Sequence, residues 1–106
     1  MALIVLDSSP LESKAYEQGL EIVLTALDLG LGYTLAGTGD FAAALRGMDV
    51  GHEVVRKLKQ LELYDGCIYI LEADGAISER LGGVFRGMGI GEFRTMLRVS
   101  GKAVVL

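Results

Sequence analysis

MALIVLDSSPLESKAYEQGLEIVLTALDL, residues 1–29, decides the fold. Ala2–Leu6 is apolar without interruption, the reading of a parallel strand covered on both faces rather than of a half-exposed one. Asp7, Ser8, Ser9 and Pro10 end that run. From Ser13 onward Tyr16, Gly19, Leu20, Val23, Ala26 and Leu27 fall on one side of a 3.6-residue helix, and Glu12, Lys14, Glu17, Gln18 and Glu21 take the other. A strand, a tight loop and a sheet-packing helix make the first half of a βαβ unit.

The same alternation continues outward from this unit. Gly30 and Gly32 stop the helix, and Tyr33–Ala36 reads as a second strand turned by Gly37-Thr38-Gly39-Asp40. Phe41–Leu45 is a short helix, and Gly47–Gly51 is a loop. His52–Leu63 carries Val54, Val55, Leu58 and Leu61 at helical spacing, and Asp65-Gly66 closes it. Cys67–Leu71 is a third strand, rich in Ile and Tyr. Ala76–Leu81 reads as a helical turn. Gly82–Gly91 is too rich in glycine for a firm helix, since each interior Gly costs about 1 kcal/mol against Ala, and its Gly87–Gly91 end reads as a mobile loop. Glu92–Val99 resumes helical spacing, and Lys102–Leu106 is a last apolar strand. The prediction is a single α/β domain over residues 1–106. Its architecture is a flavodoxin-like, three-layer α/β/α arrangement with a four- or five-stranded, mainly parallel sheet.

Composition narrows the function classes. In 106 residues, 51% are hydrophobic and 23% charged, with a mean hydropathy of +0.42. A domain of this size cannot hide that much apolar area, so oligomerisation is expected. The net charge is −4, and the densest basic patch is Arg56-Lys57-x-Lys59, which argues against direct nucleic-acid binding. No apolar run approaches a membrane span and no basic leader opens the chain, so the expected location is cytoplasmic, away from the membrane. One cysteine, Cys67, excludes an internal disulfide. One histidine, His52, leaves too few soft ligands for a structural zinc. No metal and no cofactor is expected.

Ligands of open parallel sheets bind outside the carboxyl ends of the strands. That rule selects Asp7, Ser8 and Ser9 after the first strand, Thr38 and Asp40 after the second, and Glu72 and Asp74 after the third. Four of these seven are acidic, a composition that favours a cation or a basic segment over an anion. The competing reading is that the same residues cap helices and face water. Cys67 opens its strand, and five residues of strand put it about 15 Å from that edge. It follows Asp65-Gly66, whereas reactive cysteines sit near cations or helix N-termini, so a structural cysteine competes with a sulfur carrier.

Other motifs are weaker. Gly37-Thr38-Gly39-Asp40-Phe41-Ala42 fits G-x-G-x-x-A between a strand and a helix, but the helix is short and no acid follows about 20 residues on. Gly87-x-Gly89-x-Gly91 follows no predicted strand and has Glu92 in place of the third glycine. A phospho-receiver domain needs an acidic pair where Ser8 and Ser9 stand and a lysine ending the last strand, where Lys102 begins it. His52 reads as a residue at a helix start without a catalytic partner.

The order of features resembles the DsrE/DsrF-like sulfur-relay family, its TusC/DsrF branch in particular. The residues that carry the likeness are Ser8-Ser9-Pro10 followed by Glu17-x-Gly19-Leu20-Glu21, Gly39-Asp40-Phe41, Leu63-Tyr64-Asp65, and LEADGAISERLG at Leu71 to Gly82. The resemblance implies a DsrE-like three-layer fold, related subunits assembled into a hexamer, and passage of persulfide sulfur between cysteines toward tRNA thiolation or sulfur oxidation. The family's active cysteine lies near the end of the third strand on the DsrE/TusD type of subunit; here that end carries Glu72, Ala73 and Asp74. The departure points to a non-catalytic partner subunit, in a homo-oligomer or with related DsrE/TusD-like chains. A persulfide carrier using Cys67 and a small-ligand or cation-binding module remain as alternatives.

Overall fold

The computed structural model describes residues 2–106. Its elements are β1 (Ala2–Leu6), α1 (Ala15–Asp28), β2 (Tyr33–Gly37), α2 (Gly39–Leu45), α3 (Glu53–Leu58) running into a 3-10 turn (Lys59–Tyr64), β3 (Ile68–Leu71), α4 (Ala76–Leu81), β4 (Phe85–Met88), α5 (Ile90–Ser100) and β5 (Lys102–Val105). All four strand pairings are parallel, in the order β4-β3-β2-β1-β5. This is the expected three-layer α/β/α arrangement, with five strands.

Strand parity divides the core in two. Ile4, Leu6, Leu35, Ile68, Ile70 and Phe85 point to one face, where α1, α2, α3 and α4 bury them with Leu20, Val23, Phe41, Leu45, Val55, Leu58 and Ile77. Leu3, Val5, Ala36 and Met88 point to the other, which receives Phe93 and Met96 of α5. Four helices cover one face and a single helix covers the other. Among the described residues no helix is long and apolar enough to cross a membrane.

The largest departure from the sequence reading is residues 82–91, where no strand is expected and Gly87–Gly91 reads as a mobile loop. Phe85–Met88 is an edge strand paired to β3, with Ile68 beside Phe85 and Leu71 beside Met88. Gly82 and Gly83 make the turn before it at φ +60° and +57°, a conformation that side-chain-bearing residues rarely adopt. Gly91 lies inside α5, and Gly89 caps it, its N–H donating to Glu92 Oε1 at 3.2 Å. The helix expected over 52–63 passes into a 3-10 turn at Lys59, and Asp65, at φ 55°, ends that turn.

Gly19 lets α1 settle onto β1. A methyl group there would lie 2.7 Å from Leu6 Cδ2 and 3.2 Å from Ile4 Cγ2, both on buried side chains of β1. Gly19→Val overpacks this contact and adds a β-branched residue to a helix, so it should lower the unfolding free energy by about 2 kcal/mol. Urea unfolding followed by circular dichroism measures the loss; an unchanged midpoint would contradict the close packing.

Candidate functional site

The residues selected from the sequence do lie along the carboxyl edge of the sheet, in two groups. The first surrounds the end of β1. The chain reverses direction across the sheet between β1 and β5, and open sheets place ligands at such a reversal. There the amides of Asp7 and Ser8 donate to the Leu106 carbonyl at 2.8 and 3.2 Å, and Leu106 N–H donates to Val5. The two amides nearest the crevice are therefore engaged by the last strand's extension.

Asp7 turns toward β2 instead. Its Oδ1 accepts from the Thr38 hydroxyl at 2.9 Å, and its carbonyl accepts from Phe41 N–H at 3.1 Å. Thr38 is buried. Gly39 sits at φ +52°, and a methyl group on it would lie 2.3 Å from Asp7 Oδ1, so the glycine makes room for the carboxylate. This fills the space that a pyrophosphate would need in the Gly37–Ala42 motif, and α2 spans only seven residues. Asp40 is exposed in the first turn of α2, where a negative charge suits the helix dipole. Ser9 is a turn residue: its Oγ accepts from Leu11 N–H and its carbonyl from Ser13 N–H. Ser8 is exposed beside it.

The second group follows β3. Glu72 is buried, and its two oxygens accept from Ile77 N–H at 2.7 Å and Ser78 N–H at 3.0 Å. The carboxylate thus satisfies orphan amides at the start of α4. Gly87 on β4 permits this: a methyl group there would lie 3.0 Å from Glu72 Oε2. Asp74 accepts from Ala76 N–H at 3.1 Å and from both terminal nitrogens of Arg46 at 3.3 and 3.4 Å. The Ala76 amide first, and then the Arg46 guanidinium, hold the Asp74 carboxyl below the usual range. Arg80 donates to the Leu45 carbonyl at 2.8 Å, tying α4 to the end of α2. Arg46 and Arg80 were not legible as members of this edge. A basic residue at a helix end is the available signal, but many residues fit it.

Cys67 immediately precedes β3, at the opposite edge, and is half-buried. The Tyr69 hydroxyl is its neighbour; hydrogen bonding to the Cys67 side chain, then that group's charge and burial, push Tyr69 above its ordinary value, with Arg86 opposing. His52 caps α3, its Nδ1 accepting from Val54 N–H at 3.1 Å. Among the described residues no group of three His, Cys, Asp or Glu side chains converges as metal ligands would.

Two apolar grooves lie away from this edge. One, of about 440 Å³, runs between α5 and the sheet and is lined by Thr34, Tyr69, Met88, Met96 and Val99 among others. The other, of about 400 Å³, lies over the outer side of α1 and the start of β2 and includes Glu21, Ile22, Leu29, Leu31 and Tyr33. No protein-family model matches the chain, and no curated protein matches it either.

At the carboxyl edge Asp7, Glu72 and Asp74 are thus already supplied with donors, and their first effect is on stability. Glu72→Ala leaves two buried amides without acceptors and should cost about 2 kcal/mol, whereas Glu72→Gln keeps one acceptor and should cost less; chemical denaturation distinguishes them. Acid sensitivity follows from Asp74 and from Glu17, which its hydrogen bond to Lys57 holds below the usual carboxylate range. Both contributions are complete above the unfolded carboxylate value of about pH 4 and disappear as pH falls through the lower folded values. Lys57, raised first by Glu17 and then by Glu53, adds stability that is complete below about pH 10 and lost as pH climbs through its raised folded value. A Glu17→Gln/Asp74→Asn variant should therefore show a flatter decline in melting temperature below pH 4 than the unsubstituted chain.

Proposed function

We propose that this chain is a non-catalytic subunit of the DsrF/TusC type, which supports intracellular relay of persulfide sulfur by assembling with copies of itself or with related, cysteine-bearing subunits. The observation that carries the reading is the end of β3. Where the resembling family places its active cysteine, this chain has Glu72, and both oxygens of Glu72 are committed to the first amides of α4. A carboxylate held this way is a structural cap. It offers neither a nucleophilic sulfur nor a proton acceptor aimed at solvent.

The position of the thiol agrees. Sulfur exchange requires a thiolate that a partner's sulfur atom can approach in the open. Cys67 is half-buried at the other end of the strand, against Tyr69. Its neighbour in sequence is Gly66, where a methyl group would lie 2.9 Å from Leu27 Cδ1, so the approach to β3 is closely packed on that side.

The surface supplies the other half of the reading. Leu11, Leu29, Leu63 and Val99 are each more than 60% exposed, and both apolar grooves lie on helix faces instead of at the sheet's ligand edge. Exposed apolar area of this kind marks surfaces that meet other proteins.

The test is a reconstituted relay containing a persulfide donor, the cysteine-bearing relative and this chain. Cys67→Ser should leave the rate of sulfur delivery unchanged, and intact-mass analysis should find no added sulfur on this chain. Loss of delivery in Cys67→Ser, together with a one-sulfur adduct at Cys67 in the unsubstituted chain, would overturn the proposal and make the chain itself a carrier.

A further inference from the structure

The two faces of the sheet present helices whose outward stripes match in spacing and oppose in charge. On α1, Ile22 and Leu29 are 38% and 67% exposed, and on α5, Ile90 and Leu97 are 55% and 40% exposed. Each pair is seven residues apart, about 10.5 Å along a helix. Beside the α1 pair stand the exposed acids Glu21 and Asp28; beside the α5 pair stand the exposed bases Arg94 and Arg98. Among the described residues the ion pairs are Arg46 with Asp74 and Lys57 with Glu17 and Glu53. None of the four charges on these two stripes is in an ion pair within the chain; Arg98 donates only to the Thr95 hydroxyl, at 3.4 Å.

We infer that α5 of one copy docks antiparallel onto the outer stripe of α1 of a second copy. In that direction Leu97 meets Ile22 and Ile90 meets Leu29. Arg98 then lies one residue beyond Leu97, at the same level as Glu21, one residue beyond Ile22. Arg94 falls about three residues, or 4.5 Å, from Asp28 along the axis, within the reach of an arginine. In the parallel direction the apolar pairs still meet, but Glu21 is left at the far end without a base. Charge selects the antiparallel form.

Charge also selects a contact between unlike surfaces. An α5-on-α5 dimer sets Arg94 and Arg98 against their own copies, and an α1-on-α1 dimer does the same with Glu21 and Asp28; like charges brought together in this way cost several kcal/mol. The contact is therefore heterologous. Because α1 and α5 lie on opposite faces of the sheet, each copy offers one docking surface on either side, and repetition builds a ring or a line of subunits. The inference rests on the assembly reading above for its purpose, and on the two helices for its geometry.

Charge reversal tests it. Arg94→Glu/Arg98→Glu and Glu21→Lys/Asp28→Lys are all surface changes, and circular dichroism checks that each variant keeps the fold. The unsubstituted chain should be multimeric by native mass spectrometry at micromolar concentration. Either double variant alone should associate about a hundredfold more weakly. Mixed in equal amounts, the two variants should re-form multimers containing both chains, since the reversed α5 of one fits the reversed α1 of the other. A monomeric unsubstituted chain, variants that stay multimeric, or a mixture that does not recover would each overturn the docking. The sulfur-relay proposal stands or falls separately, on the Cys67→Ser delivery assay with the relative present.

Discussion

The handedness of parallel crossovers is the constraint from which the rest of this structure follows. A strand joined to a parallel neighbour through a helix does so almost always with a right-handed turn. The first three crossovers step the same way, from β1 to β2 to β3 to β4, and so deposit α1, α2, α3 and α4 on one face. Only the step from β4 back past β1 to β5 runs in the opposite sense, and it leaves α5 alone on the other face. A helix with its side chains is about 10–12 Å wide, and a five-stranded sheet is about 19 Å across. One helix cannot roof it, which is why a groove remains beside Tyr69 and Met88 and why every residue of β5 is exposed.

The carboxyl edge obeys a second constraint, the pairing of buried or crowded carboxylates with glycines. Asp7 needs Gly39, and Glu72 needs Gly87, because in each case a side chain on the glycine would occupy the carboxylate's position. These pairs join β1 to α2 and β3 to β4 and α4. The acids at this edge thus hold the loops, with backbone amides, a hydroxyl and Arg46 as their donors. An electrostatic reading of the edge as an open cation trap counts formal charges; the geometry counts donors, and Asp7, Glu72 and Asp74 each already accept at least one hydrogen bond.

The difference between these two counts explains what could be read from the amino-acid order. Strands β1, β2 and β3 and helix α1 were legible because each buries a run or a periodic set of large apolar residues, which is what burial imprints on a chain; β5 was legible as an apolar run although its residues are exposed. β4 was not. Its inward residues are Phe85 and Met88, and the two between them, Arg86 and Gly87, are exposed, so neither alternation nor a continuous apolar run survives. The glycine that disguised the strand is there for Glu72, a residue fifteen positions earlier, just past the end of β3, that the ladder brings beside it. A local pattern carries no trace of a partner brought close only by folding. The site followed the same rule: the positions of Ser8, Thr38, Asp40, Glu72 and Asp74 at one edge follow from strand ends alone, whereas the donors that satisfy them come from Arg46, Ile77 and Ser78, whose roles depend on tertiary approach.

Segregation of the last crossover also converts sequence composition into surface chemistry. In most of the chain, acids and bases from consecutive segments mingle on one helical layer, and Lys57 illustrates the outcome by meeting both Glu17 of α1 and its own neighbour Glu53. Residues 89–106 have no such layer to share. Their three bases, Arg94, Arg98 and Lys102, stand against one acid, Glu92, and that acid is turned back to the Gly89 amide. The face consequently keeps a positive sign in a chain whose net charge is −4. A molecule built this way is acidic as a whole, and it carries the bases of α5 on the side of the sheet left thinly covered. In the proposed docking, the same topological step that exposes apolar area on α5 also supplies the charge that would direct a second copy to it.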